Sequence, residues 1–266
     1  MRCARRRTRS IKRRTGGELH ELSLFSGAGG GLLASKLLGW RTVGCVEWNP
    51  FRQAILAQRM RDGDLDECPI FGDIRAFVGD GYADRYRGVA DVVTAGFPCQ
   101  PFSHLGQRRG PDDPRNQWPA TAECIRIVRP RFAFLENVPA LLTSGYFDTI
   151  VGDLADCGYD ARWECISASA IGGPIRRERL WIVAESNAGN GPSRMGSEQD
   201  WPSPLFARSR EACSERWLQT ASGAARGADG VADYLDRVEA IGDGQVPAVV
   251  ALAWRVLTHD AAKEGR

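Results

Sequence analysis

A cysteine framed by two prolines is the residue in this sequence best suited to chemistry. Cys99 lies in the segment Gly96-Phe97-Pro98-Cys99-Gln100-Pro101-Phe102-Ser103, directly after the apolar run Val89–Ala95. That run predicts a buried strand, and the prolines restrict the backbone on both sides of the thiol. The thiol would therefore stand at the carboxyl end of a strand, where α/β proteins place reactive groups. It could act as a nucleophile; a buried, inert cysteine in a proline-rich turn is the alternative.

Two further features supply an acid and a pair of cations. Glu136 follows the apolar run Phe132–Leu135, so it should lie beside Cys99 at neighbouring strand ends. A thiol and a carboxyl group that converge in this way form a nucleophile with an acid partner. Arg177 and Arg179 lie two residues apart in an extended segment, so they project from one face. A solvated glutamate and a solvated basic strand are the alternatives for these residues.

An earlier part of the chain predicts a nucleoside pocket. The glycine-rich segment Phe25-Ser26-Gly27-Ala28-Gly29-Gly30 joins a predicted strand to a predicted helix, where the backbone can approach a ligand closely. Glu47 ends the next strand, where a carboxylate commonly binds ribose hydroxyls, and Trp48 offers a ring face to an adenine. Asp73 lies where a third strand should end and could accept from an adenine amino group. The segment lacks the full G-x-G-x-x-G pattern, which favours a ligand without phosphates but leaves NAD and S-adenosylmethionine open.

These groups need a sheet that brings several strand ends together. Between Glu18 and Ala184, short apolar runs alternate with helix-like stretches, which predicts an α/β fold with a parallel sheet and helices on both faces. The predicted elements are the strands Leu22–Phe25, Thr42–Val46, Val89–Ala95 and Phe132–Leu135, the helices Gly31–Leu38 and Pro50–Arg61, and a closing hairpin of Ala161–Ser167 and Arg179–Ala184. Apolar residues at helical spacing predict a further amphipathic helix over Val246–Leu257.

Composition divides the 266 residues into three parts. Residues 1–17 carry eight positive charges and no acid, which predicts a basic disordered tail that favours polyanions. Residues 18–185 and 231–266 should form one catalytic domain. Residues 186–230 are rich in Gly, Ser, Pro and Arg and should form a small irregular insert.

Cysteine spacing and hydropathy exclude several classes of protein. The eight cysteines include no C-x-x-C pair, so we expect reduced thiols and no metal site. No apolar stretch approaches the roughly 18 residues of a membrane span, and no N-terminal apolar segment is typical of a secretory signal. The sequence therefore predicts a cytoplasmic protein with no membrane contact.

From about Leu22 to Leu257 the sequence resembles the DNA (cytosine-5)-methyltransferases. The shared elements, in the order that the family has them, are Phe25 to Gly30, Glu47-Trp48, Gly72-Asp73-Ile74, Gly96 to Ser103, Glu136-Asn137-Val138, Arg177 with Arg179, and Gly242 to Pro247. The Pro-Cys-Gln and Glu-Asn-Val elements, in that succession, are highly specific to this family. The resemblance implies a Rossmann-like S-adenosylmethionine-dependent methyltransferase sheet with a short target recognition insert.

The resemblance also implies a role for each matched residue. Cys99 would add as a thiolate to C6 of a cytosine flipped out of duplex DNA, since a stacked base cannot be reached. Glu136 would bond the N3 edge and assist its protonation, and Arg179, supported by Arg177, would hold the O2 side. S-adenosylmethionine would be held by Phe25, Ser26, Gly27, Gly29, Gly30, Glu47, Trp48, Asp73 and Ile74. Substrate contacts would come from Gln100, Ser103 and Pro98, the last through its carbonyl near the exocyclic amine.

The resemblance further implies double-stranded DNA as the partner, a monomer of bacterial or phage origin, and a restriction endonuclease that acts on the same site. The chain departs from the family pattern at Ser23, Ile175 and Asp243, and its insert is short for target recognition. RNA cytosine-5 methylation and a non-catalytic DNA-binding relative stay open as alternatives. An NAD oxidoreductase would leave Pro98-Cys99-Gln100 unexplained.

Overall fold

One sheet organises the part of the chain that the computed structural model describes, which is residues 18–98, 116–172, 177–188 and 244–259. Its strands are β1 (His20–Leu24), β2 (Arg41–Val46), β3 (Ile70–Phe71), β4 (Val92–Ala95), β5 (Phe132–Asn137), β6 (Tyr159–Ser167) and β7 (Glu178–Ser186). Their order is β3-β2-β1-β4-β5-β7-β6. The first five strands in this order form parallel pairs, whereas β7 pairs antiparallel with both β5 and β6.

Helices cover both faces of this sheet. They are α1 (Gly30–Leu37), α2 (Pro50–Arg61), α3 (Ile74–Gly79), α4 (Trp118–Val128), α5 (Phe147–Asp156) and α6 (Pro247–His259), with short 3₁₀ helices at Ala83–Tyr86, Pro139–Thr143 and Ala168–Ile171. Alternate residues of β5 belong to opposite layers, as the pleat of a strand requires. Phe132 and Phe134 meet Trp254 of α6 with ring centroids 5.1 and 5.4 Å apart, whereas Ala133 joins the core that includes Ile125 of α4. Burial of an aromatic side chain such as Trp254 contributes roughly 3 kcal/mol, which holds α6 on the sheet.

The structure confirms the predicted α/β fold, the helices on both faces and the closing hairpin. The ends of the predicted elements lie within two residues of the observed ends, with one exception. The strand expected at Val89–Ala95 begins only at Val92, because the amides of Val89 and Ala90 both donate to the Tyr86 carbonyl and continue the preceding 3₁₀ turn.

Parts of the predicted domain organisation fall beyond the structure. The basic tail of residues 1–17 lies outside the described residues, and so does the predicted insert from residue 189 onward. The start of that insert overlaps the sheet, because β7 continues to Ser186. Among the described residues, no helix combines the length and the apolar character that a membrane crossing requires.

The order of the strands fixes where a ligand can bind. β1 has β2 on one side and β4 on the other, so the direction in which strands are added reverses at β1. Such a reversal opens a crevice at the carboxyl ends of the strands in open α/β sheets. The described residues that the sequence singled out on β1, β2, β3 and β5 lie at or just beyond these ends, and the amino end of the antiparallel β7, with Arg179, lies at the same edge. This place is called the crevice below.

Candidate active site

The glycine-rich segment turns sharply between β1 and α1. Phe25, Gly27 and Gly29 have positive φ angles of 56°, 58° and 88°. A Cβ atom makes this conformation unfavourable by about 1 kcal/mol, a strain that only Phe25 carries among these three. The Ser26 amide donates to the end of β2, and the Ser26 hydroxyl donates to Ser23, a buried departure from the family pattern. The hydroxyl proton of Ser26 is therefore used within the protein.

Glu47 ties this segment to the next strand. Its carboxylate is 3% exposed, and its two oxygens accept from the amides of Gly27 (2.7 Å) and Asn49 (2.9 Å). Asn49 in turn caps α2 by accepting from its first amides. Each carboxylate oxygen keeps a lone pair for a further donor, such as a ribose hydroxyl. The neighbouring Trp48 side chain is 75% exposed, so its ring face is open to a ligand.

Asp73 and Ile74 follow β3 at the same edge. Asp73 is exposed and caps α3 by accepting from the Arg75 amide at 2.8 Å. Ile74 is 3% exposed, and its side chain belongs to the hydrophobic core. Any contact that Ile74 makes with a ligand therefore has to use its backbone.

Glu136 at the end of β5 forms the acidic part of the crevice. Its side chain is 13% exposed, and Arg179 of β7 lies 2.9 Å from its Oε1. Gln245, just before α6, donates to Oε2 at 3.4 Å. Burial raises the pKa of Glu136, while Arg179, Gln245 and Arg177 act against this shift. A raised pKa keeps a larger fraction of this acid protonated near neutral pH, as a proton donor requires.

The segment that leads to Cys99 passes directly over this acid. A Cβ placed on Gly96 would lie 2.9 Å from Glu136 Oε2, so only glycine lets the chain approach so closely. The Asn137 amide donates to the Phe97 carbonyl at 3.1 Å and holds the segment in place. Pro98 is exposed and is the last residue that the structure describes in this segment. Cys99, Gln100 and Ser103, together with Ile175 and Asp243, lie outside the described residues.

The structure adds two residues to the predicted set. Asn137 is buried and bonded to the segment before Cys99, and Gln245 contacts both Glu136 and the first turn of α1. Both belong to elements that carried the resemblance, which was the one signal that could have found them. Within the part of the chain that is described, no cluster of side chains could ligate a metal.

Glu136, Arg177, Arg179, Trp181, Gln245 and Val249 line a recess beside the acid. This recess and the crevice over the glycine-rich segment meet at the carboxyl ends of one doubly wound sheet. Fold and site together define a Rossmann-like methyltransferase.

Comparison with protein families identifies the group of methyltransferases to which the chain belongs. Residues 19–216 match the family described as C-5 cytosine-specific DNA methylase. The chain belongs to this family, as its sequence predicted.

Curated relatives include type II methyltransferases from several bacteria. M.NgoMIV of Neisseria gonorrhoeae is 32% identical over 62% of this chain and 51% of its own length. M.MspI of Moraxella sp. is 34% identical over 62% of this chain and 38% of its own length. The chain therefore spans about half the length, or less, of these relatives.

Solved structures support the fold. DNMT2 of Spodoptera frugiperda, solved as a mutant with three substitutions to alanine, has a TM-score of 0.54 at 21% identity, over 68% of this chain and 54% of that one. A putative DNA modification methyltransferase encoded within a prophage (E. coli) has a TM-score of 0.51 at 24% identity, over 64% of this chain and 47% of that one.

Proposed function

We propose that this chain transfers a methyl group from S-adenosylmethionine to C5 of a cytosine flipped out of duplex DNA. The observation that carries the proposal is the passage of Gly96 over Glu136, with a Cβ position 2.9 Å from the carboxylate. It brings the segment that enters Pro98-Cys99-Gln100 against a buried acid that an arginine holds. A nucleophile, an acid and a cation at one place suit addition to a heteroaromatic base.

S-adenosylmethionine fits the other end of the crevice. Glu47 presents a buried carboxylate to hydroxyl donors, and Trp48 presents an open ring. A Cβ on Gly27 would meet nothing within 4 Å, which leaves room for a ligand beside the backbone at this residue. When bound, the cofactor supplies the methyl group. The residues that would hold it are Phe25, Ser26, Gly27, Gly29, Gly30, Glu47, Trp48, Asp73 and the backbone of Ile74.

Each side chain at the acidic end has a defined task. The Cys99 thiolate adds to C6 of the cytosine while Glu136 donates a proton towards N3 and Arg179 neutralises charge at O2. This addition raises the electron density at C5, so C5 can attack the methyl group, whereas C5 of free cytosine is a poor nucleophile. After methylation, loss of the C5 proton to solvent expels the Cys99 thiolate, return of the N3 proton to Glu136 regenerates the acid, and the aromatic ring is restored. Arg177 supports Arg179, and Pro98, Gln100 and Ser103 contact the base and its surroundings.

Recognition of duplex DNA is assigned to residues 186–230, and non-specific attraction to the basic residues 1–17. Arginines of the insert suit phosphates and guanine edges. The similarity to bacterial type II methyltransferases supports a role beside a restriction endonuclease in a bacterial cytoplasm. A monomer suffices for this reaction, because all the catalytic residues come from one chain.

Transfer of radiolabelled methyl groups tests the proposal. The full chain should label unmethylated duplex DNA and not tRNA, and Cys99→Ala should abolish labelling while DNA binding persists. Labelling of tRNA alone would replace DNA by RNA as the substrate. DNA binding without any labelling would favour a non-catalytic relative.

Trapping tests the covalent step. Duplex DNA that carries 5-fluorocytosine cannot lose a C5 proton, so it should stay bonded to Cys99. Mass spectrometry should locate the adduct on the peptide that contains Cys99. Turnover on ordinary DNA without such an adduct would exclude Cys99 as the nucleophile.

A further inference from the structure

Gln245 lies between Glu136 and the glycine-rich segment that is proposed to hold the cofactor. None of the roles proposed above involves it. We propose that Gln245 is a positioning residue, which orients the Glu136 carboxylate and fixes it relative to the first turn of α1. The proposal rests on the proposed function only for the meaning of Glu136 as the catalytic acid. The contacts themselves are features of the fold.

The two oxygens of Glu136 are held from two directions. Arg179 binds Oε1 at 2.9 Å, and Gln245 Nε2 donates to Oε2 at 3.4 Å. A carboxylate bonded at one oxygen can still rotate about its last torsion, which is broad. A second donor at the other oxygen removes this freedom, so Arg179 and Gln245 together determine where the acidic proton points.

Three glycines make room for Gln245. A Cβ on Gly30 would collide with the Gln245 carbonyl oxygen, and a Cβ on Gly31 would collide with its side-chain Oε1. A Cβ on Gly96 would lie 3.2 Å from its Nε2. The side-chain amide therefore fills the space between the start of α1, the segment after β4 and the end of β5.

The backbone of Gln245 is itself firmly anchored. The next residue, Val246, accepts from the amides of Val249 and Val250 and so opens α6. Val250 and Trp254 of α6 are 5% and 1% exposed. A side chain fixed to a packed helix can hold a neighbour in place, whereas one on a loose loop cannot.

The charges around Glu136 give the expected direction of an electrostatic test. Among the described residues, Arg179 from β7 and Arg177 from the segment before it are the charged groups that act on this carboxyl, and Gln245 supplies a neutral donor. All three favour the ionised form. Removal of the Gln245 donor should therefore raise the pKa of Glu136 further, and a carboxylate in its place should raise it most.

The experiment measures Glu136 directly in the full chain. Carbon-13 NMR of the labelled glutamate carboxyl groups, with Glu136→Gln to identify the signal, follows the titration in each variant. The pKa of Glu136 should rise in the order wild type, Gln245→Met, Gln245→Glu. Gln58→Met is the matched control, because Gln58 makes the same amide-to-carboxylate hydrogen bond with Asp62 on the exposed face of α2.

Activity supplies the second readout. Loss of a hydrogen bond to a charged group corresponds to a factor of about ten, so kcat of Gln245→Met should fall about tenfold with KM for the cofactor unchanged. The high-pH limb of kcat should move upward with the pKa of Glu136. Gly31→Ala displaces the Gln245 amide without altering it and should act in the same direction, which keeps a test available if Gln245→Met does not fold.

The outcomes separate this proposal from the proposed function. A folded Gln245→Met or Gly31→Ala protein whose Glu136 titrates as in wild type overturns the positioning role, even if kcat falls. A shifted titration in a chain that methylates neither DNA nor RNA supports the positioning role and overturns the proposed function.

Discussion

The carboxylates at the two ends of the crevice are held by different kinds of hydrogen-bond donor, backbone amides at one end and side chains at the other. At the end that is proposed to bind the cofactor, called the cofactor end below, Glu47 is bonded to two backbone amides within a few residues of strand ends that pair directly. At the acidic end, Glu136 depends on long side chains, from Arg179 of β7 and from Gln245, 109 positions further along the chain. Backbone donors come into place as soon as β1 and β2 pair, whereas the side-chain donors need β7 and α6 to be docked.

This difference predicts which changes each end tolerates. A side-chain substitution does not remove a backbone amide, so the cofactor end should keep its backbone conformation when single side chains are replaced. Its affinity for the ligand should then fall in small steps. At the acidic end, burial raises the pKa of Glu136. Each side chain that supports Glu136 can be removed by a single substitution. Substitutions that affect one end and leave the other intact test this division.

Glu136→Gln should have the largest effect. It keeps the shape of the side chain but removes the acid, so kcat for methyl transfer should fall by a factor of about 100 to 10,000. Affinity for S-adenosylhomocysteine, measured by calorimetry, should stay within about twofold of wild type, because Glu47 is untouched. Glu185→Gln is the control, because Glu185 lies on β7 with Arg179 but its carboxylate is 3.7 Å from Arg131, away from the crevice. A parallel loss of cofactor affinity would show that the two ends are not separate.

Glu47→Gln should produce the reverse pattern. One of its two oxygens becomes an amide nitrogen, so the side chain loses its charge and an acceptor for a ligand hydroxyl; a hydrogen bond to a charged group contributes about 1.5–3 kcal/mol. Affinity for S-adenosylhomocysteine should fall about tenfold to a hundredfold, with kcat at saturating cofactor little changed. Glu67→Gln, at an exposed position near β3, should have no effect on affinity. Unchanged affinity in Glu47→Gln would remove Glu47 from the cofactor site.

Gly96→Ala should weaken catalysis by a smaller factor. The added Cβ would lie 2.9 Å from Glu136 Oε2 and 3.2 Å from Gln245 Nε2, so these flexible side-chain ends must move. We expect kcat to fall about tenfold with cofactor affinity unchanged, a loss of about 1.4 kcal/mol in transition-state stabilisation. Gly152→Ala, where a Cβ meets nothing within 4 Å, is the matched control. Wild-type kcat in a folded Gly96→Ala chain would contradict the close approach.

Glu21→Gln should have the smallest effect, on the pH dependence of stability. Glu21 is 1% exposed, and its oxygens accept from Thr94 (2.7 Å) and Thr42 (3.1 Å). Burial raises its pKa above the ordinary value of 4.5, so its stabilising contribution is full below pH 4.5 and is lost as pH rises through the raised pKa. Relative to wild type, Glu21→Gln should therefore gain free energy of unfolding as pH rises from 4.5 through the raised pKa of Glu21, measured by urea denaturation at a series of pH values. A difference that does not change with pH, or the same change in the exposed Glu67→Gln, would contradict the assignment.

Strand logic was enough to predict the fold and the place of both carboxylates at the crevice. Glu47 and Glu136 follow apolar runs, and parallel strands bring such ends to one edge of a sheet. The contact between Gln245 and Glu136 was out of reach, because it joins distant parts of the chain through a side-chain conformation that no periodic pattern encodes. Glu21 was missed for a related reason, since its partners Thr42 and Thr94 lie on two other strands.

The antiparallel course of β7 has a consequence for the path of the chain. Leu180 pairs with Asn137 at the crevice, whereas Glu185 pairs with Phe132 at the opposite edge of the sheet. The chain thus leaves the sheet at the edge far from Glu136. The described residues resume at Gly244, next to Gln245, which contacts Glu136. The two points differ by about the length of a six-residue strand, or roughly 20 Å, which a handful of extended residues can cover. Residues 189–243 are many more than the crossing requires, so their number and sequence can change during evolution without displacing either anchor. With recognition assigned to the insert, as proposed above, sequence preference and catalytic machinery can diverge at different rates within one chain.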